Sequence, residues 1–407
     1  MIAPTQVVTP TEVPVPNPRR ASFRCLLVLA LASLACGPPP ASPPPEPAVE
    51  SPPPVRDHFK YVAVDGAIHV HDMNDRHRHV KTLHVPELKK PRGIAAHAGT
   101  ARLYLPFWGD RGRKLGRRVG YVLCYDLVRE RVAWLRDYEP SIDSLEVTPD
   151  GTTLYMPSGE ERDEGDWLVI DAATGDVVER IPVHAGAHNT IMSPGGERVY
   201  MTCIKSNQMY VGDTRTNEVI RTIGPFGSGI RPFAINRAET LAVVNVDFLS
   251  GFEVADLVSG KVLHRVQVEG YPWVDPKLPR TQSHGVTMTP DEREVWVVDD
   301  HNRHVHVFDI TGLPEQAPVQ VASIDVKVRR KPKISPKWIN VSRDGRLVHV
   351  STGAIIDRAT RKILTRVAQS RYFVEIVFEN GRPVEAFSRY GNGHGAPPPA
   401  SATTTGE

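Results

Sequence analysis

The chain has 407 residues, of which 49 are Lys or Arg and 47 are Asp or Glu, so its formal net charge is only +2. This balance gives no reason to expect nucleic acid or another strongly charged polymer as a partner. The length allows two or three ordinary domains, or one all-β barrel or propeller that takes up most of the chain.

The first 36 residues have the pattern of a bacterial secretion signal. Arg19, Arg20 and Arg24 precede the apolar run CLLVLALASLA at 25–35. The run suits a signal peptide and is too short to span a bilayer, which takes roughly 20 residues. The stretch SLAC resembles the lipobox, in which the cysteine becomes the acylated first residue of the mature protein. We therefore expect residues 1–36 to be a signal peptide with a lipobox, and Cys36 to carry the lipid.

A proline-rich segment follows the lipobox directly. Residues 37–58 include PPPASPPPEPAVESPPP, a composition that favours a semi-rigid polyproline II tether. Gly37 stands after Cys36 where aspartate would favour retention in the inner membrane. The sequence thus predicts a lipid-anchored protein of the bacterial envelope, in the outer membrane and facing the periplasm or the surface.

The four cysteines do not form a disulfide framework. Cys25 leaves with the signal and Cys36 is the predicted anchor. Cys124 and Cys203 each lie in an apolar run typical of a β-strand, and we expect both to be buried, inert thiols.

Between residues 59 and 391 one unit recurs seven times. An apolar strand ends in aspartate, a short turn follows, and the next strand begins with β-branched residues. This pattern recurs at intervals of roughly 40 to 55 residues, at Asp72, Asp126, Asp171, Asp213, Asp256, Asp309 and Asp357. A hairpin turn precedes it in most units, as TPDG (148–151), SPGG (193–196), NRAE (236–239), TPDE (289–292) and SRDG (342–345).

The repeats predict an all-β fold, a seven-bladed β-propeller with four antiparallel strands in each blade. The first unit, 59–85, has only three strands, and the strand at 371–381 has no blade of its own. We therefore expect this C-terminal strand to join the N-terminal blade and close the ring, which removes exposed sheet edges. Residues 392–407 are expected to be a disordered tail.

Several segments resemble the YVTN/YncE-type β-propellers, whose superfamily includes lactonase-like and amine-dehydrogenase-like propellers. The matching segments are HNTIMSPGGERVYM, GIRPFAINRAETLAVVN, SHGVTMTPDEREVWVVD and STGAIIDRATRKI. The resemblance covers 59–391 and implies the fold. It leaves the activity open, because this kind of propeller hosts unrelated functions.

A set of mostly ionisable residues stands five positions before the first turn residue of each unit. Since inner strands begin at one rim of a propeller, these side chains and their neighbours should surround the channel mouth. The predicted ligand-binding residues are Arg92, Asp143, His188, Asn189, Arg231, His284, Lys337 and Trp338, with Phe373 at the seventh position. Such a ring suits a small anionic ligand, with Arg231 as a bidentate donor between His188 and His284. Alternatively, the ring only solvates the axis.

Four long insertions are predicted on the same rim. They are 109–118, 159–166, 269–282 and 327–334, of which the first and last are basic. Loops on a rigid scaffold are where function concentrates. We therefore expect the binding surface on this rim.

Two histidine-rich runs resemble metal-binding motifs. DDHNRHVHVFD places His301, His304 and His306 close together, and HVHDMNDRHRH covers 69–79. Comparison of the units puts His306 at an ordinary third-strand position, and one strand supplies too few converging ligands for zinc. We interpret both runs as strand and loop, and predict no metal and no other cofactor.

The chain lacks the common catalytic motifs. It contains no G-x-S-x-G, no P-loop, no G-x-G-x-x-G and no C-x-x-C-H. The sequence therefore favours a monomeric, non-catalytic binding or scaffold module for an envelope protein or a small anion. The alternative is a propeller enzyme of the lactonase or haem/redox type that works at the axial ring.

Overall fold

The computed structural model describes residues 56–111, 118–139, 141–160, 162–273, 281–329, 331, 334–368, 371–387 and 393–394. The predicted signal peptide with Cys36, the tether up to residue 55 and most of the predicted tail lie outside these residues. Within the described part of the chain, no helix is long and apolar enough to cross a membrane.

The described residues form thirty β-strands. The chain enters the ring through β1 (Arg56–Val64), β2 (Ala67–Asp72) and β3 (Arg78–His84). Blade 1 follows as β4 (Ala95–His97), β5 (Arg102–Arg111), β6 (Arg118–Asp126) and β7 (Arg131–Tyr138). Blade 2 contains β8 (Glu146–Val147), β9 (Thr153–Pro157), β10 (Gly165–Asp171) and β11 (Val177–Val183).

Blades 3 to 5 repeat this order from the innermost strand outward. Blade 3 contains β12 (Ala187–Met192), β13 (Arg198–Cys203), β14 (Met209–Asp213) and β15 (Glu218–Ile223). Blade 4 contains β16 (Ile230–Ile235), β17 (Leu241–Val246), β18 (Gly251–Asp256) and β19 (Val262–Gln267). Blade 5 contains β20 (Val286–Met288), β21 (Glu294–Asp299), β22 (His304–Asp309) and β23 (Val319–Asp325).

The last strands complete blade 6 and close the ring. Blade 6 contains β24 (Ile339–Val341), β25 (Leu347–Val350), β26 (Ala354–Asp357) and β27 (Ile363–Arg366), and the chain ends with β28 (Tyr372–Glu379), β29 (Arg382–Phe387) and β30 (Gly393–His394). Strand β28 pairs with β1 in antiparallel register, with Val374 opposite Tyr61. Blade 7 is therefore β28-β1-β2-β3. The predicted seven-bladed propeller, closed by its C-terminal strand, is confirmed.

The ring includes more of each terminus than the sequence indicated. Strand β1 begins at Arg56, so it contains the last three residues of the predicted tether. Strand β30 lies in the segment predicted to be a tail. The boundaries differ because strand pairing, rather than composition, decides where the ordered sheet begins and ends.

A hairpin extends blade 7 inward. Strand β29 pairs with the edge of β28 that faces away from β1, and it also contacts β4 of blade 1. From the turn between β24 and β25 of blade 6, Arg343 forms an ion pair with Glu385. The Arg343 guanidinium also lies 4.9 Å from the centre of the Phe387 ring. The hairpin therefore lies inside the ring, against blades 1 and 6.

The recurrent aspartate builds the turn after each third strand. The Oδ1 atom of Asp171 accepts the N–H groups of Ala173 and Thr174, both at 2.9 Å. In each of the other six blades the equivalent aspartate accepts at least one N–H from two or three residues later, at Asp72, Asp126, Asp213, Asp256, Asp309 and Asp357. Aspartate favours such turns because its side chain stands in for a backbone acceptor.

In the five inner hairpin turns recognised in the sequence, the side chain of the first residue supplies a closing oxygen. Ser193 Oγ accepts the N–H of Arg198 at 3.0 Å. Asn236 Oδ1 accepts the N–H of Leu241 at 2.9 Å, which explains why the divergent turn NRAE begins with asparagine. Gly151 occupies the last position of its turn with φ +73, a left-handed conformation that glycine adopts without steric cost.

The apolar core lies between neighbouring blades. Val122 of blade 1 and Met156 of blade 2 belong to one buried cluster, and Tyr200 of blade 3 packs with Phe233 of blade 4. The thiols of Cys124 and Cys203 are buried and unpaired, and burial raises the pKa of each to about 12. The expectation that both thiols are buried is confirmed, and their low reactivity stays a prediction.

Candidate functional site

The predicted ring residues lie at the rim where inner strands begin, which we call the loop rim. His188 and Asn189 are on β12 and Arg231 is on β16, and both strands are buried along their whole length. Asp143, His284, Lys337 and Trp338 stand just before β8, β20 and β24, while Arg92 stands before β4. The shared register of the repeats therefore places all of them at one end of the channel.

Four charged residues from three consecutive blades meet at one point of this rim. The Nη2 atom of Arg92 lies 2.6 Å from Asp143 Oδ2 and 3.1 Å from Glu160 Oε1. The Nδ1 atom of His188 lies 2.8 Å from the same Asp143 oxygen and 3.0 Å from the same Glu160 oxygen. We call Arg92, Asp143, Glu160 and His188 the charge quartet.

Burial and neighbouring charges oppose each other within the quartet. Burial lowers the pKa of His188, but the carboxylates of Glu160 and Asp143 outweigh it and raise that pKa above its usual value. For Glu160 burial raises the pKa, and the stronger combined effect of His188 and Arg92 holds it well below its usual range. The quartet thus combines two cations with two carboxylates, which compensates the charges that it buries.

Sequence reasoning missed Glu160. The loop 159–166 between β9 and β10 was predicted to be functional, but it contains five acidic residues with no repeat register to distinguish them. The structure turns Glu160 inward, where its side chain keeps 29% of its accessible surface. Only the fold shows which of these carboxylates meets His188.

The quartet has the spacing of a metal site but not its charge. One ligand atom each from Asp143, Glu160 and His188 lie within 4.8 Å of one another. The Arg92 guanidinium already contacts the same Asp143 and Glu160 oxygens. A divalent cation would meet this positive charge at close range, so the three residues fit an internal ion-pair network better than a metal.

His284 and Trp338 form an aromatic wall beside the quartet. The His284 ring lies 6.1 Å from the His188 ring and 4.6 Å from Trp338, centre to centre, in edge-to-face geometry. Burial, followed by the charges of His188 and Arg231, lowers the pKa of His284 well below its usual value. His284 is therefore neutral at neutral pH.

Arg231 is committed to a partner of its own blade. Its Nε atom lies 2.7 Å from Asp247 Oδ1, and its Nη2 atom lies 3.2 Å from Asp247 Oδ2. Both side chains are almost fully buried. The bidentate contact that the sequence assigned to a ligand is thus made with the end of β17. The pairing was not foreseen because Asp247 follows the second strand, away from the aligned positions.

The seventh ring position differs from the expectation. Phe373 packs against His349 of blade 6 and lies under the ammonium group of Lys60. Tyr372 takes the place beside Trp338, with 5.8 Å between ring centres. Pairing of β28 with β1 sets this register, so the turn-based count is one residue off in the closing blade.

A pocket of about 540 Å³ opens beside the quartet, where blades 6, 7 and 1 meet the loop rim. Its lining includes the cations Lys90, Arg92, Lys337 and Arg371 and the aromatic rings of Trp108 and Tyr372. Lys337 is paired with Asp300 at 3.3 Å. Among the described residues, no carboxylate forms an ion pair with the side chain of Lys90 or Arg371. Asp65, which also lines the pocket, accepts the backbone N–H of Lys90 at 2.7 Å. We call this cavity the rim pocket.

No protein-family model matches the chain, and no curated protein matches its sequence. The resemblance to YVTN/YncE-type propellers therefore rests on the quoted segments, together with the seven-bladed architecture. Since one fold hosts many functions, the function has to be argued from the site.

Two of the three histidines of the run 299–309, His304 and His306, have partners within the protein. His306 lies on the third strand of blade 5, as predicted, where its Nδ1 atom is 2.9 Å from Ser323 Oγ and its Nε2 atom is 3.3 Å from Asp299 Oδ2. His304 Nδ1 is 2.7 Å from the carbonyl oxygen of Asn302. In the basic loop 327–334, Arg329 and Lys331 are exposed. Arg330 and residues 112–117 of the other basic loop lie outside the described residues.

Proposed function

We propose that the chain is a binding propeller of the YVTN/YncE type that holds a small organic anion in the rim pocket. The proposal rests on two buried hydrogen-bond donors that have no acceptor within the protein. The Nε atom of Arg92 and the hydroxyl of Tyr372 are buried and have no partner within the protein. Both residues line the pocket.

Unpartnered buried donors are costly, which makes a ligand with acceptor oxygens a natural complement. Each such group costs about 1–3 kcal/mol relative to a satisfied one. A carboxylate or phosphate would accept from Arg92 and Tyr372 and would meet the charges of Lys90 and Arg371 at the entrance. Trp108 and Tyr372 offer apolar surface to the rest of the ligand.

The charge quartet holds the Arg92 side chain in place for such a ligand. Asp143 and Glu160 hold one end of the Arg92 guanidinium, and the Trp108 ring lies 4.1 Å from its central carbon. These contacts fix the orientation of the guanidinium before a ligand arrives. A pre-oriented donor loses little entropy on binding.

Titration calorimetry of the untagged protein with acetate, succinate, benzoate and inorganic phosphate at constant ionic strength tests the proposal. We expect saturable binding of at least one of these anions. Arg371→Ala should weaken it by roughly tenfold or more, because a charge-assisted hydrogen bond contributes about 1.5–3 kcal/mol. Arg215→Ala removes an exposed arginine on the opposite rim and should leave the affinity unchanged.

Two outcomes would reject the binding function. One is the absence of saturable heat with every anion in the panel. The other is an equal loss of affinity in Arg371→Ala and Arg215→Ala, which would show nonspecific attraction to positive charge. Tyr372→Phe removes only the hydroxyl and should lower the affinity for the anion without changing the fold.

A propeller enzyme of the lactonase or haem/redox type is the second candidate. The observation that favours it is the Asp143–His188 contact, which orients an imidazolium whose Nε2 atom is buried and has no partner within the protein. An oriented imidazolium can serve as a general acid. Hydrolysis of a lactone panel that is lost in His188→Gln, or a Soret band of the purified protein, would favour this function.

The envelope location is proposed together with the binding function. It is supported by the signal pattern at 1–36, the SLAC sequence ending at Cys36 and the proline-rich tether. A lipid at Cys36 would hold the propeller at the outer membrane, with its loop rim available to a ligand or to an envelope protein. Mass spectrometry of the mature N-terminus decides this, since an unmodified peptide that begins elsewhere would reject the anchor.

A further inference from the structure

Four histidines of blade 7 line a cavity that shares no lining residue with the rim pocket. A pocket of about 390 Å³ lies where blade 7 meets the end of blade 6, and its lining consists of His69, His71, His77, His79, Thr82, Val367 and Ala368. These are the histidines of the run 69–79, which the sequence interpretation assigned to strand and loop without a metal. The backbone agrees with that interpretation, but the side chains converge.

Strand geometry explains how the rings come together. His69 and His71 are two residues apart on β2 and therefore share one face of the sheet. The neighbouring strand β3 brings His79 between them, because the pairing shifts by one residue at His71. The His79 ring lies 5.5 Å from that of His69 and 5.4 Å from that of His71, centre to centre.

These separations suit a shared tetrahedral metal. With a metal–nitrogen distance of about 2.0–2.1 Å, two imidazoles on one tetrahedral ion have ring centres about 5 Å apart. Among the described residues only Asp143, Glu160 and His188 already bring three ligand atoms within 4.8 Å. The ring nitrogens of the blade 7 histidines are farther apart than this, so binding of an ion would require His69 and His79 to turn about their side-chain torsions. His79 is exposed and His69 is half-buried, so both have room to turn.

His77 supplies an independent sign of a ligand. Its side chain lines the cavity, and the residue is only 5% exposed. Neither ring nitrogen has a hydrogen-bond partner. Its backbone also adopts a left-handed conformation with φ +61, which is uncommon for a residue with a Cβ atom. An imidazole held in the cavity without a partner is explained by a ligand that accepts its lone pair.

Hydrogen bonds behind the rings favour the ligand tautomers. His71 Nδ1 lies 3.1 Å from the carbonyl oxygen of His77, so this nitrogen donates and the Nε2 atom keeps its lone pair. Thr82 Oγ1 lies 3.0 Å from His69 Nδ1 and 3.0 Å from His79 Nε2. Metal-binding histidines commonly have their second nitrogen held by a carbonyl or hydroxyl oxygen in this way.

We propose that His69, His71, His77 and His79 form a binding site for a divalent first-row transition metal, separate from the rim pocket and independent of its function. The donor set contains imidazole nitrogens and no carboxylate, which suits Zn²⁺, Ni²⁺ or Cu²⁺ and disfavours Mg²⁺ and Ca²⁺. The cavity opens at the outer part of the blade, so the ion has a direct path from solvent through the exposed His79.

Titration of the untagged full chain with ZnCl₂ at neutral pH tests the site. We expect one equivalent of Zn²⁺ to bind and MgCl₂ to give no heat. His79→Ala should weaken Zn²⁺ binding by at least about tenfold while leaving the thermal unfolding of the metal-free protein unchanged, because His79 is exposed. His304→Ala changes a histidine of the other run and should bind as the wild type. Cu²⁺ should give an electron paramagnetic resonance spectrum with nitrogen hyperfine structure.

Three outcomes would overturn the proposal. The first is a wild-type protein that binds no Zn²⁺ at micromolar concentration. The second is binding that His79→Ala leaves unchanged. The third is binding that is lost in Glu160→Gln and kept in His79→Ala, which would place the metal in the charge quartet. Since anion binding in the rim pocket is measured separately, its failure has no bearing on this test.

Discussion

The Nδ1 atom of His188 lies 2.8 Å from the Oδ2 atom of Asp143, although the two residues belong to adjacent blades. The contact exists because both stand at equivalent positions of their repeats, at the same height around the axis. Arg92 of the next blade contacts the same Asp143 oxygen. Three consecutive repeats thus contribute one charged side chain each from this shared position, and Glu160 joins them from a loop of the middle blade.

This network predicts a specific pH dependence of stability. The pKa of His188 is raised on folding, so its contribution is complete below its unfolded value of 6.5 and is lost as the pH rises through the folded value. The pKa of Glu160 is lowered, so its contribution is complete above its unfolded value of 4.5 and is lost as the pH falls through the folded value. Glu160→Gln should therefore reduce the melting temperature most between pH 4.5 and 6.5.

Melting curves from pH 4 to pH 9 would measure this effect. The difference in melting temperature between the wild type and Glu160→Gln should become smaller above the raised pKa of His188. Glu218→Gln, on the exposed outer strand of blade 3, provides the control and should give a constant gap. A gap for Glu160→Gln that does not vary with pH would contradict the coupling of Glu160 to His188.

Arg231→Ala should destabilise the protein strongly, whether or not a ligand is present. The substitution leaves Asp247 buried without its bidentate partner, and breaking a buried pair from one side costs about 3–5 kcal/mol. Denaturant unfolding would measure the loss. Arg215→Ala breaks an exposed pair and should change the free energy of unfolding by no more than about 1 kcal/mol.

The double substitution separates ion-pair loss from packing loss. Arg231→Ala combined with Asp247→Ala removes both charges and should recover part of the stability lost by Arg231→Ala alone. If the free energy of unfolding of Arg231→Ala lies within about 1 kcal/mol of the wild-type value, the Arg231–Asp247 pair contributes no more than an exposed ion pair does. In that case the guanidinium remains available to a ligand.

Removing the closing strand should open the ring. A chain that ends at residue 370 lacks β28, so β1 loses its partner and the inner edge of blade 7 is exposed. We expect this protein to be aggregated and insoluble. A chain that ends at residue 391 keeps β28 and β29 and should remain soluble. Size-exclusion chromatography and circular dichroism of the two truncations would show the difference.

The two propeller thiols should react only after unfolding. Burial raises the pKa of Cys124 and Cys203 to about 12, and the thiolate is the reactive form. A chain beginning at Gly37 should release no colour with Ellman's reagent when native and two equivalents in denaturant. Ser259→Cys, in an exposed turn, should add one thiol that reacts at once. A fast reaction of the native wild type would contradict the burial.

The fold was predictable because its repeated turns depend on local chemistry. Asp171 and its counterparts bind the backbone two or three residues away, so each copy keeps the residue even where the strands diverge. The number of blades and the closure by β28 could be predicted by counting the strands in each repeat. The register of β28 could not be predicted, because its partner β1 lies at the other end of the chain.

The site was only partly predictable, for a related reason. Aligned positions located Arg92, Asp143 and His188 because these residues share the repeat register. Glu160 and Asp247 lie outside that register, so nothing in the sequence distinguished them from other acidic residues. The cavity of blade 7 depends on a one-residue shift in the pairing of β2 with β3, which a sequence pattern does not reveal.

The hairpin of β28 and β29 narrows the central channel of the propeller. Strand β29 takes up the bore beside β28 and is held to blade 6 by Arg343. A strand occupies about 4.8 Å of width in the sheet, so β29 narrows the channel near the inner hairpin turns. We therefore expect solutes to reach the channel mainly from the loop rim. A ligand in the rim pocket is therefore accessible to partners at the loop rim.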